Sequence, residues 1–150
     1  MPTENVSISF PRQPQHEVLA DESIEGTNIT IKEDAYQSTA SDGNTYIAVV
    51  YRYSSGNIKE SDRSEFLHEI LMGIVESTPG NELGSFSYGA KDSVSTADFV
   101  ITNSGEKVTL KGRLLLNGMD MYKMILVDQN GQFSEENYNK FINSFKVLPL

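Results

Sequence analysis

The chain has 150 residues and a formal net charge of −9, from 21 acidic against 12 basic side chains. That length suits one domain with a real core and leaves too little for two. The acidic balance argues against nucleic acid and anionic membrane surfaces, both held through Lys and Arg, and the absence of cysteine excludes disulfides, thiolate metal sites and cysteine nucleophiles.

No apolar run approaches the roughly 20 residues of a membrane-spanning helix. Met1-Pro-Thr-Glu-Asn5 has neither the basic start nor the apolar segment of a signal peptide. Two locations are compatible with this: the cytoplasm, or an exported chain whose signal lies upstream of residue 1.

In chain order, Val6-Ser-Ile-Ser-Phe10 alternates and predicts a short strand with Val6, Ile8 and Phe10 on one face. Pro11 and Pro14 stop it, since neither donates to a ladder. A second short strand is expected over His16 to Ala20. Thr27 to Tyr36 predicts another, with Ile29 and Ile31 inward and Lys32 outward. The polar stretch Gln37 to Asn44 contains the turn signal Asp42-Gly43. Tyr46 to Tyr53, rich in β-branched and aromatic residues, completes a hairpin.

Asp62 then offers an N-cap with Glu65 three residues on. Phe66, Leu67, Ile70, Leu71, Ile74 and Val75 form one helical stripe, and Pro79-Gly80 ends the helix. From Glu82 to Thr102 the pattern is weaker. Leu83, Phe86 and Tyr88 mark one strand, Phe99 to Ile101 another, and Asn103-Ser-Gly105 a turn.

Lys107 to Val127 is the strongest stretch. Two apolar runs flank Asn117-Gly118, which suits a two-residue type I′ hairpin turn. Leu116 is expected opposite Met119, Leu114 opposite Met121 and Arg113 opposite Tyr122. Leu114 and Leu116 then share one face, with Leu115, Tyr122, Met124 and Leu126 on the other. Apolar residues on both faces predict inner strands covered on each side. After the loop Asp128 to Gly131, Ser134 caps a last helix whose Tyr138, Phe141, Ile142 and Phe145 make one apolar face. The expected fold class is therefore α+β, an antiparallel sheet between helices in a three-layer α/β/α sandwich, as one domain over residues 1–150.

Candidate chemistry is sparse. His16 and His68 have no partner at metal-chelating spacing and read as hydrogen-bonded or exposed histidines. Asp128-x-Asn130-Gly131 with Glu135 and Glu136 lacks the glycine and bidentate glutamate of a calcium loop and reads as a loop feeding a helix cap. No nucleophile elbow and no phosphate-binding glycine loop occurs. Tyr36, Tyr46, Tyr51, Tyr53 and Tyr88 suit a groove or ordinary sheet faces. Met119, Met121 and Met124 suit core filling better than an adaptable surface. No catalytic residue, cofactor or metal is expected.

Phe10-Pro11-x-x-Pro14, Tyr46-x-Ala-Val-x-Tyr51, Lys111-Gly-Arg-Leu-Leu-Leu-Asn-Gly118 with Tyr122-Lys-Met124, and Phe141-Ile-Asn-Ser-Phe-Lys146 occur in that order. Together they resemble the PsbP-like superfamily, which includes PsbP, Mog-type and DcrB-like proteins, and within it small bacterial exported proteins or lipoproteins. The resemblance implies an antiparallel sheet between helices and a non-catalytic accessory domain. Its partner would be a protein, met outside the cytoplasm in the periplasm or at a lipid anchor. Two alternatives are a cytoplasmic DcrB-like chaperone or adaptor for a secreted protein, and a small-ligand carrier with a closed apolar pocket.

Overall fold

Strand-forming alternation governs most of the chain. The computed structural model describes residues 2–3, 6–18, 22–23, 30–53, 60–91, 94–118, 120–129, 131 and 133–147. Over these, the order is β1 (Pro2–Thr3), β2 (Val6–Ser7), β3 (Gln15–Val18), β4 (Glu22–Ser23), β5 (Thr30–Thr39), β6 (Thr45–Tyr53), α1 (Arg63–Glu76), β7 (Asn81–Lys91), β8 (Val94–Asn103), β9 (Val108–Asn117), β10 (Asp120–Asp128), α2 (Glu135–Ile142) and β11 (Lys146–Val147). The main sheet is antiparallel in the order β3-β5-β6-β10-β9-β8-β7, with β4 also on β5. A small second sheet joins the termini in the order β1-β2-β11.

The central hairpin forms, with its turn one position later than expected. Asn117 pairs with Asp120, Leu116 with Met121, Leu115 with Tyr122 and Leu114 with Lys123. Asn117 is therefore paired in the ladder instead of standing in the turn, and Gly118 follows it in the left-handed conformation at φ 62. The partner of each residue changes by two positions, which keeps every side chain on its predicted face. Hydrophobic pattern alone does not separate the two turns, because both put the same residues on the same faces.

Both faces of this hairpin are buried. Leu114, Leu116 and Met121 pack with Ala97, Phe99 and Ile101 of β8 and with Leu67 and Leu71 of α1. Leu115, Tyr122, Met124 and Leu126 pack on the opposite side with Val6, Ile8, Tyr46 and the α2 residues Tyr138, Phe141 and Ile142. The predicted partition of the hairpin into two apolar faces holds.

The three-layer α/β/α sandwich does not. Among the described residues the chain is mostly β, and the two α-helices stand singly. Seven strands spaced about 4.8 Å apart make a sheet about 29 Å wide, whereas one helix is about 10 Å across. α1 lies mainly over β7, β8 and β9, at one end of the sheet. On the other face α2 shares the cover with the small terminal sheet, where Val6, and Ile8 just after β2, are fully buried. Phe10 meets Phe141 at 5.3 Å, and the Ser9 backbone N–H donates to Ser144 Oγ at 2.8 Å, so both ends of the chain close over α2.

Other local expectations shift for identifiable reasons. Asp62 precedes α1 but its side chain caps nothing, because a turn of 3-10 helix (Glu60–Asp62) leads into the helix instead. Of the six stripe residues of α1 only Leu67 and Leu71 are fully buried, since the helix crosses one end of the sheet. Ser134 does cap α2, accepting from the Asn137 backbone N–H at 3.1 Å. Phe145 lies beyond α2 and packs on Tyr122 at 4.9 Å. On β5 the more buried face carries Asp34, Tyr36 and Ser38, while Ile31 is half-buried on the other. Ile29 and Pro149 lie outside the described residues.

Two predictions follow from this core. A Cβ on Gly112 would meet the Met124 carbonyl oxygen, with Phe99 Cζ at 3.0 Å and Ile125 Cα at 3.1 Å. Two of those contacts are backbone of the paired strand and cannot swing aside. Gly112→Ala is expected to cost about 1–3 kcal/mol in urea unfolding. The second concerns alkali. Burial, followed by Asp42 and Asp128, pushes the Tyr46 phenol up to about 12, and burial followed by Asp120 does the same to Tyr122. The unfolded chain ionises these groups near pH 10. Stability is thus fully present below about pH 10 and falls as pH rises through about 12. Absorbance at 295 nm and circular dichroism should show these two phenols ionising together with unfolding.

Candidate functional site

The sheet ends differently on its two sides. At one end lie β3 and β4, short pieces with exposed His16 and Glu17, of the kind that discourages further pairing. At the other lies β7, an unbroken strand of 11 residues without proline. It pairs with β8 on its inner side, and no described strand occupies its outer side.

The sequence of β7, Asn-Glu-Leu-Gly-Ser-Phe-Ser-Tyr-Gly-Ala-Lys, sets up two unlike faces. Its register shifts between Leu83 and Phe86, a bulge at Gly84-Ser85 that puts Leu83 and Phe86 on the same side. Phe86 and Tyr88 then project beside α1, while Ser85 and Ser87 line the opposite face. Phe86 is 48% exposed and Tyr88 39%. The two rings meet edge-on at 5.9 Å, and His68 of α1 lies 6.3 Å from Phe86 and 6.2 Å from Tyr88. His68 Nδ1 and the Tyr88 hydroxyl share a hydrogen bond of 2.5 Å. This fixes the aromatic pair in place while leaving its surface in water.

Behind β7, between the sheet and α2, is an open recess of about 420 Å³. Arg113 and Asp98 form its floor through Nε–Oδ1 and Nη2–Oδ2 hydrogen bonds of 2.5 and 3.3 Å. That hydrogen bond holds the guanidinium above its ordinary pKa. Lys111 stands over the rings of Phe133 and Tyr138, at 4.9 and 4.6 Å, and reaches Glu135 at 3.6 Å. Ser85, Ser87, Asn139 and Asn143 complete a polar wall. Both cations of this recess are thus already neutralised by carboxylates. It is not the closed apolar pocket that a small-ligand carrier would need.

The remaining candidates disperse. His16 Nε2 donates to Asp34 at 2.9 Å and stacks on Tyr36 at 4.3 Å, far along the sheet from His68. Tyr46 is fully buried and Tyr36 nearly so, whereas Tyr51 packs in the opposite core and Tyr53 against Phe66, so the strand tyrosines share no groove. Met121 and Met124 are fully buried on opposite faces, and Met119 lies outside the described residues. Asp128 is buried and accepts from the Gly131 backbone N–H at 3.0 Å, the loop-closing contact expected of a turn; Asn130 is outside the described residues. Among the described residues, no three His, Asp or Glu side chains converge on a metal-sized position. No described helix is long and apolar enough to cross a membrane.

The exposure of Phe86 and Tyr88 is the feature that the sequence reading missed. Its signal was present in the alternation of those rings with Ser85, Ser87 and Gly89, the pattern of a strand with one small-residue face. No family model, curated protein or solved structure matches this chain.

One prediction concerns the recess floor. Asp98 and Arg113 are both partly exposed, with side-chain exposures of 45% and 26%. Asp98→Asn is expected to lower stability by about 1 kcal/mol or less, measured in urea, because solvent screens the pair.

Proposed function

We propose that this chain is a non-catalytic, protein-binding accessory domain that engages its partner at the β7 edge. The supporting observation is a long sheet edge carrying two exposed, mutually packed aromatic rings. Exposed aromatics are the side chains that contribute most per residue to protein interfaces, since they offer large area with little rotamer entropy to lose. A hydrogen-bonded His68 beneath them lowers that entropy cost further.

The test is a peptide-display selection against the full chain, followed by affinity measurement on the paired variant Phe86→Ser, Tyr88→Ser. Peptides selected on the wild-type chain should bind this variant at least about tenfold more weakly. The variant should stay folded, with its melting temperature lowered by no more than about 8 °C, since Phe86 is 48% and Tyr88 39% exposed. A selection that yields no binders, or binders indifferent to the substitutions, rejects the reading.

A further inference from the structure

We infer that the β7 edge takes its partner by strand addition, and that the added segment is extended, apolar at alternate positions and basic at its ends. The inference rests on the protein-binding reading above and specifies the partner's chemistry. A strand paired on one side presents alternate backbone N–H and C=O groups outward, and an extended chain satisfies them in a ladder. From Phe86 to Lys91 the pairing of β7 with β8 is regular, so its outer side offers six residues in even register. The bulge at Gly84-Ser85 limits the ladder at the other end.

The two faces of β7 define what such a segment must carry. An added strand places its side chains about 4.5–5.5 Å from their cross-strand neighbours. On one face those neighbours are Phe86 and Tyr88, which favour apolar or β-branched partners. On the other they are Ser87 and Gly89, which leave room for side chains of any size above the recess.

Charge selects the occupant. On α1, Glu65, His68, Met72 and Glu76 fall on one stripe at helical spacing, and His68 touches the aromatic pair. Glu65 and Glu76 are exposed, as is Glu82 on β7 itself. Lys91, the last residue of β7, is the only basic residue in the strand. A second copy of this chain, at net −9, would bring the same carboxylates to the contact. A basic segment is complementary to them and is drawn in faster at low salt.

The experiment uses the full chain and a labelled peptide, Lys-Lys-Val-Thr-Val-Thr-Val-Lys-Lys, followed by fluorescence anisotropy. Three comparison peptides carry Glu for every Lys, or N-methyl groups on one or the other alternate set of central amides. Strand addition predicts binding of the parent peptide. It also predicts at least about tenfold weaker binding of the Glu peptide and of one N-methylated peptide, since only one set of amides faces β7. Phe86→Ser with Tyr88→Ser should weaken the parent peptide similarly. If display selection yields aromatic-dependent binders but this peptide does not bind, or binds equally when either amide set is methylated, strand addition is overturned while the protein-binding reading stands. Equal affinity for the Glu peptide overturns the basic partner. A dimer in sedimentation velocity that is lost in the paired variant shows that a second copy takes the edge and overturns the inference.

Discussion

The fold hangs on one constraint: the three consecutive leucines of β9 must each reach an apolar environment. Neighbouring residues of a strand point to opposite faces. Leu115 therefore faces α2 and the terminal sheet, while Leu114 and Leu116 face α1. β10 answers in kind, with Met121 on one face and Tyr122 and Met124 on the other. A hairpin of this composition cannot sit at an edge or on a wet surface. It demands a strand on each flank and cover on both sides, and β8, β6, α1 and α2 supply them.

That demand was legible because it is carried by periodicity. The same holds for the α2 face and for Val6, Ile8 and Phe10, whose spacing alone places them together. Layer count was not legible. Strands of two residues, such as β1 and β11, leave no periodic trace, yet they form the small sheet that shares the cover with α2. A helix recognised in sequence also says nothing of how wide a sheet it must roof.

Buried polar positions escaped for a related reason. Asp34 shares the strand face of Lys32, which reads as outward, and Ser38 falls in a stretch that reads as polar loop. Their burial depends on His16, which donates to Asp34, and on the Arg12 carbonyl, which accepts from Ser38 Oγ at 3.0 Å. Those partners come from a segment about twenty residues earlier, and no window along β5 contains them. The candidate site was hidden differently. Phe86 and Tyr88 look like core residues by type, and only the end position of β7 in the sheet leaves them exposed. Sheet order is a property of the whole topology, fixed by which hairpins stack on which.

The inequality of the two sheet ends also governs assembly. A sheet open at both sides is a monomer of a filament, because each addition regenerates the site that accepted it. Here the far side is finished by the fragments β3 and β4, with a histidine held to a carboxylate beside them. Among the described residues, growth from β7 would meet only these short pieces on the far side. Strand addition at β7, as inferred above, would then give a closed complex with one added strand per chain, whose size is set by the fold and not by concentration.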